Sequence, residues 1–130
     1  CEAAVGIFRR QNAGHLVTVS SMSAKRGLPK HLTTYAASKA GLALLSEGIR
    51  AELLNTPIKV TTLFPGYIRT ELNEGAGKLP FEVSAEVGAR ALVNAIDREP
   101  STACVPAQPW TIIGFLMQHL PLRWVAKLGG

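Results

Sequence analysis

The chain has 130 residues, 47% of them hydrophobic and 18% charged, with a formal net charge of +5 at pH 7. That is about one ordinary domain with ample material for a core, which excludes a disordered chain. The basic residues are scattered (Arg9-Arg10, Lys25-Arg26, Arg50, Lys59, Lys78, Arg123), with acids between many of them and no aromatic-interleaved patch, which argues against nucleic-acid binding.

Cys1 and Cys104 have neither metal-ligand nor disulfide-framework spacing, and His15, His31 and His119 form no ligand set. No disulfide and no metal site are expected, and a reducing, cytoplasmic compartment fits. The chain opens on Cys1 rather than Met and reads at once as the tail of a helix, so it is expected to begin inside a larger protein. No signal peptide is visible. The apolar stretch Ile112 to Met117 falls far short of the ~20 residues that span a bilayer.

In chain order, Ala3, Ala4, Ile7 and Phe8 recur at helical spacing until Asn12-Ala13-Gly14 stops the helix. His15 to Ser20 is short, β-branched and followed by serines, and it reads as a buried strand. Ser21 to His31 holds Gly27 and Pro29 and reads as a loop. Thr33 or Thr34 can then cap a helix from about Thr34 to Asn55, with Leu42, Leu45, Ile49 and Leu53 as its core stripe. Its first half is rich in Ala and Gly, which permits close approach by another helix.

Thr56-Pro57 ends that helix and Ile58 to Phe64 forms a second strand. Strand, helix and strand at these lengths make a right-handed βαβ unit with parallel strands. Leu72 to Phe81 reads as a loop, with Gly75-Ala76-Gly77 in a substrate lid rather than a phosphate turn, because no strand runs into it. Ser84 caps a helix over Ala85 to Asp97, with Val87, Ala91, Val93 and Ile96 turned inward. Ala103 to Val105 is a short third strand. Trp110 to Val125 is apolar and interrupted by Pro121. It is either a helix packed over a substrate pocket or an amphipathic surface helix in peripheral contact with a membrane.

Within the long helix, Tyr35 and Lys39 stand one turn apart on one face. A neighbouring ammonium favours the phenolate, which suits a tyrosine to general acid/base work on an alcohol or ketone. A Tyr-x-x-x-Lys arises by chance often enough to be weak alone. Here a serine pair precedes it at one strand end and Pro65-Gly66 follows at the next, where open parallel sheets bind ligands.

Three stretches, Gly14-His15-Leu16-Val17-Thr18-Val19-Ser20-Ser21, Tyr35-Ala36-Ala37-Ser38-Lys39-Ala40-Gly41 and Pro65-Gly66-Tyr67-Ile68-Arg69-Thr70, together resemble the catalytic half of a short-chain dehydrogenase/reductase. The resemblance covers about Cys1 to Asp97. It implies an α/β fold, a Rossmann-like doubly wound parallel sheet, of which this chain holds only the C-terminal part: about three strands with helices, plus a C-terminal helical extension. The corresponding division is 1–106 for the catalytic part and 107–130 for the extension.

It further implies hydride transfer between NAD or NADP, with NADP slightly favoured, and a small-molecule carbonyl or secondary alcohol. By this resemblance Tyr35 is the proton donor in reduction, Lys39 supports it and holds the nicotinamide ribose, and Ser21 orients the substrate, with Ser20 and Ser23 as competitors. Pro65 and Gly66 let backbone approach the nicotinamide, and Ile68 and Thr70 hold its carboxamide. The Tyr35 helix is expected to form a homodimer or homotetramer interface. Leu72, Leu79, Phe81, Trp110, Phe115 and Met117 suggest a lipophilic substrate. The family's glycine-rich cofactor turn and its Asn-Asn-Ala-Gly motif do not occur here, so this segment alone is expected to be inactive. A non-catalytic dinucleotide-binding scaffold and a membrane-surface interaction module are the rival readings.

Overall fold

The computed structural model describes residues 1–30, 32–67 and 82–128. Three parallel strands, β1 (Gly14–Val19), β2 (Ile58–Pro65) and β3 (Thr102–Val105), lie in that order in one sheet. The register pairs Gly14 with Ile58 through Val19 with Leu63, and Thr62 with Thr102 through Pro65 with Val105. The central strand is buried at every position from Val60 to Phe64. A strand covered on both faces needs this apolar and β-branched run.

Helices cover both faces of the sheet. Helix α1 (Glu2–Gln11) and helix α2 (Leu32–Glu52) lie against one face, where Val5, Phe8, Ile49 and Leu53 close over Leu16, Ile58 and Val60. Helix α3 (Ala85–Arg98) covers the other, packing Ala91, Leu92, Ala95 and Ile96 on Val17, Leu63, Ala103 and Val105. Alternation along β2 requires this split, since Leu63 points opposite to Val60 and Phe64. Helices on both faces of a parallel sheet are the doubly wound arrangement, here with three strands.

Helix α4 (Ala107–His119) and helix α5 (Leu122–Leu128), separated by Pro121, follow β3. Trp110 joins Met22 and Phe64 in a buried cluster, and Val125 is also buried. At Gly114 an added Cβ would come within 2.9 Å of Met22 Cε, so the helix seats closely at that point. Arg26 donates to the Met117 and Gln118 carbonyls at 3.3 and 3.0 Å, satisfying acceptors that the last turn of α4 leaves open. The segment therefore packs on the protein, while its outer face keeps Ile112, Phe115, Leu116, Leu122 and Trp124 exposed.

The helix faces differ from the sequence expectation in two places. In α2 the inward positions are Ala36, Ala43, Ser46, Ile49 and, just past its end, Leu53, whereas Leu45 is exposed. The reason is the close approach to β1: Thr18 Oγ1 lies 2.7 Å from Ser46 Oγ and 3.2 Å from Thr62 Oγ1, a buried hydroxyl chain that leucines would hold apart. In α3 Val87 and Val93 face outward, and Gly88 and Ala95 are the buried positions. Helix α2 also begins at Leu32, so Thr33 and Thr34 lie inside it; the Thr33 hydroxyl donates to the Leu28 carbonyl at 2.7 Å. Ser84 caps α3 as expected, accepting the Val87 N–H at 3.2 Å.

Candidate active site

The tip of β1 splits two adjacent serines into different tasks. Ser20 is buried; its N–H donates to the Leu63 carbonyl at 2.8 Å, and its hydroxyl donates to the Lys39 carbonyl at 2.8 Å. It is a latch between strand and helix. Ser21, half-buried, turns the other way and begins the 3₁₀ turn Met22–Lys25. Its Oγ accepts the Ser23 N–H at 3.2 Å, which leaves its own proton available to a carbonyl oxygen outside the protein.

Helix α2 delivers the other two groups. Ala36 is buried and sets the roll of this turn, so that Tyr35 stands at the edge of the contact, 45% exposed as a residue. Lys39 lies one turn on, its Nζ 5.9 Å from the Tyr35 ring centroid and donating to the Val19 carbonyl at 3.3 Å. Only one of the three ammonium donors is used by that bond. Both ends of Lys39, its carbonyl and its Nζ, are thus tied to the end of β1.

Beside it, Pro65 ends β2, and the Gly66 N–H donates to the Val105 carbonyl at 2.9 Å. Ser21, Tyr35, Lys39, Pro65 and Gly66 accordingly share the carboxyl end of the parallel sheet. Ile68 and Thr70 lie outside the described residues, as do His31, the Gly75-Ala76-Gly77 stretch, Leu72, Leu79 and Phe81.

These residues match a known family model. Residues 1–79 align with the model described as short chain dehydrogenase. This chain belongs to the short-chain dehydrogenase family. An uncharacterized oxidoreductase of Mycobacterium tuberculosis is 43% identical over 122 residues, covering 94% of this chain and 48% of the relative. A match of that extent runs past β3 into α4. Among solved structures, a short-chain dehydrogenase of Burkholderia cenocepacia in complex with NADP superimposes at a TM-score of 0.74 with 25% identity, over 92% of this chain and 48% of the other. One from Sphingobium yanoikuyae in complex with NADPH superimposes at 0.67 with 25% identity, over 88% and 47%. The chain thus spans about half the length of the short-chain dehydrogenases it matches.

Two contacts near this end of the sheet go beyond the expected apolar helix from Trp110. The Trp110 indole covers Gly66 so closely that a Cβ there would fall inside the ring, and it meets the Tyr67 ring edge-on at 5.6 Å. Lys25 places Nζ 3.8 Å over the Phe64 ring, beside a cavity of about 270 Å³ lined also by Cys104, Thr111, Phe115 and Gln118. Ser21, Tyr35 and Lys39 do not line that cavity. Contacts between residues so distant in the chain leave no periodic trace; the aromatic character of Trp110 was the available signal. Among the described residues no His, Cys, Asp or Glu cluster suited to a metal occurs, and no helix is long and apolar enough to cross a membrane.

Proposed function

We propose that this chain is the catalytic half of an NAD(P)-dependent oxidoreductase acting on a carbonyl or secondary alcohol, with Tyr35 as general acid/base. The observation that carries the reading is the double attachment of Lys39 to β1, which leaves the Tyr35 phenol exposed beside an ammonium with unused donors. The residues suit a nicotinamide nucleotide: Lys39 and Tyr35 can hold ribose hydroxyls, while Pro65, Gly66, Ile68 and Thr70 would meet the nicotinamide end. When bound, that group supplies or accepts the hydride. NADP is the favoured form, since the two solved relatives hold NADP and NADPH.

In reduction Ser21 donates its O–H to the substrate oxygen and fixes its direction. Tyr35 then delivers a proton to that oxygen as the carbon gains hydride, so the C=O π bond gives way to new C–H and O–H bonds. In oxidation the tyrosine accepts the proton back. A lipophilic substrate fits the apolar composition of residues 107–130, although Phe115 itself lies on the exposed outer face of α4. A homodimer or homotetramer built through the outer face of α2 fits the exposed Leu44 and Leu45.

The test is Tyr35→Phe in the complete protein. Turnover should fall by about two or more orders of magnitude with cofactor affinity largely kept. Unchanged turnover would leave the non-catalytic scaffold as the better account, and a panel running from small polar ketones to long-chain ones sets the substrate class.

A second reading rests on α4 and α5. Their exposed Ile112, Phe115, Leu116, Leu122 and Trp124, with Arg123 and Lys127 exposed beside them, have the composition of a surface that rests on anionic lipid. Liposome co-sedimentation tests it.

A further inference from the structure

We propose that Trp110 is a positioning residue for this reaction, holding the Pro65-Gly66-Tyr67 turn at the depth where a nicotinamide can meet Tyr35. The proposal rests on the oxidoreductase reading above and adds to it a residue from outside the family-matched region 1–79.

Helix α4 touches both strand-end turns with one face. Trp110 and Gly114 are four residues apart, one helical turn, and so lie above one another. Trp110 presses on Gly66 and on the edge of Tyr67, while Gly114 closes on Met22, the residue immediately after Ser21. Trp110, Met22 and Phe64 form one buried cluster, and Phe64 immediately precedes Pro65. The turn bearing the substrate-orienting serine and the turn facing the cofactor are therefore braced by the same helix face.

The rest of the turn is held by backbone. The Gly66 N–H bonds to Val105 and the Tyr67 carbonyl accepts the Val83 N–H at 3.0 Å. These bonds tie the turn to β3 and to Val83, and the indole seats it against α4, because Gly66 carries no side chain and the ring occupies the volume a Cβ would take. A smaller side chain at 110 lets the turn settle toward α4 and away from the cofactor, and a larger one at 66 pushes the two apart.

A tryptophan that merely fills the core would contribute stability and nothing else. The distinguishing experiment measures NADPH affinity by fluorescence titration, together with kcat, the KM for each substrate and Tm, for complete protein bearing Trp110→Phe, Gly66→Ala or both. Each single variant should weaken NADPH binding by about tenfold, the scale of coupling between groups in contact. The double variant should be weakened by less than the product of the two, because the smaller ring makes room for the added methyl. Trp110→Phe should raise the cofactor KM more than it lowers kcat. If a variant at 110 or 66 does not fold, Tyr67→Leu, at an exposed position, should weaken binding several-fold in its place. Lowered Tm with unchanged NADPH affinity, or strictly multiplicative effects, would overturn the proposal. Loss of the oxidoreductase reading looks different: wild-type protein then binds no NADPH or NADP, or Tyr35→Phe turns over normally.

Discussion

The Ser20 hydroxyl donates to the carbonyl of Lys39 at 2.8 Å, so the turn of α2 that carries the tyrosine and lysine is bolted to the end of β1 by a partly buried hydrogen bond. Its neighbour Ser21 makes no such bond; its Oγ accepts the Ser23 N–H at 3.2 Å at the start of the 3₁₀ turn. The two serines should therefore fail differently.

Ser20→Ala removes a partly buried hydrogen bond to a carbonyl inside α2 and should cost about 0.5–1.5 kcal/mol of stability. Ser21→Ala removes only a cap on a short turn and should cost about 1 kcal/mol or less, while lowering kcat by about tenfold or more if its hydroxyl orients the substrate. Thermal unfolding and steady-state kinetics on the two variants separate the roles.

The hydroxyl chain Thr62, Thr18 and Ser46 makes a second prediction. Ser46 is fully buried and its hydroxyl also donates to the Leu42 carbonyl at 2.8 Å. Ser46→Ala takes one of two partners from the buried Thr18 hydroxyl, leaving Thr62, and should cost about 0.5–1.5 kcal/mol, whereas Thr18→Val with Ser46→Ala removes both ends of that bond and should cost less than the two singles together. A double-mutant cycle by denaturant unfolding measures this.

Leu45 lies within α2 and Leu53 just past its end, and their burial differs sharply. Leu53 is buried against Ile58 and Val60, so Leu53→Ala should cost about 2–5 kcal/mol. Leu45 is exposed, and Leu45→Glu should change the stability of the single chain by about 0.5 kcal/mol or less. If the outer face of α2 joins two copies, the same change shifts the protein to a smaller species by light scattering.

For the lipid-surface reading, Phe115→Glu with Trp124→Glu should abolish sedimentation with anionic vesicles while leaving Tm nearly unchanged, since both rings are exposed. Equal sedimentation of variant and wild type would end that reading.

Much of this molecule is legible in its sequence. β-Branched runs bounded by Gly and Pro marked β1 and β2, helical periodicity marked α1, α2 and α3, and Ser84 announced the start of α3. The Tyr35 and Lys39 relationship follows from 3.6 residues per turn, a local geometry that needs no tertiary information. Which helix face turns inward was less legible. Helix α2 is apolar over most of its circumference, so hydrophobicity could not choose between Leu45 and Ser46. The choice fell to the hydroxyl of Thr18 and to how closely two backbones can approach.

What the linear chain determined, then, was the set of elements and the spacing within each, because those depend on neighbours a few residues away. Only folding decided that Ser20 latches strand to helix while Ser21 opens the 3₁₀ turn, because adjacent residues at a strand end point to opposite sides. Only folding set Trp110 on Gly66, because contact between residues so far apart in sequence is chosen by packing.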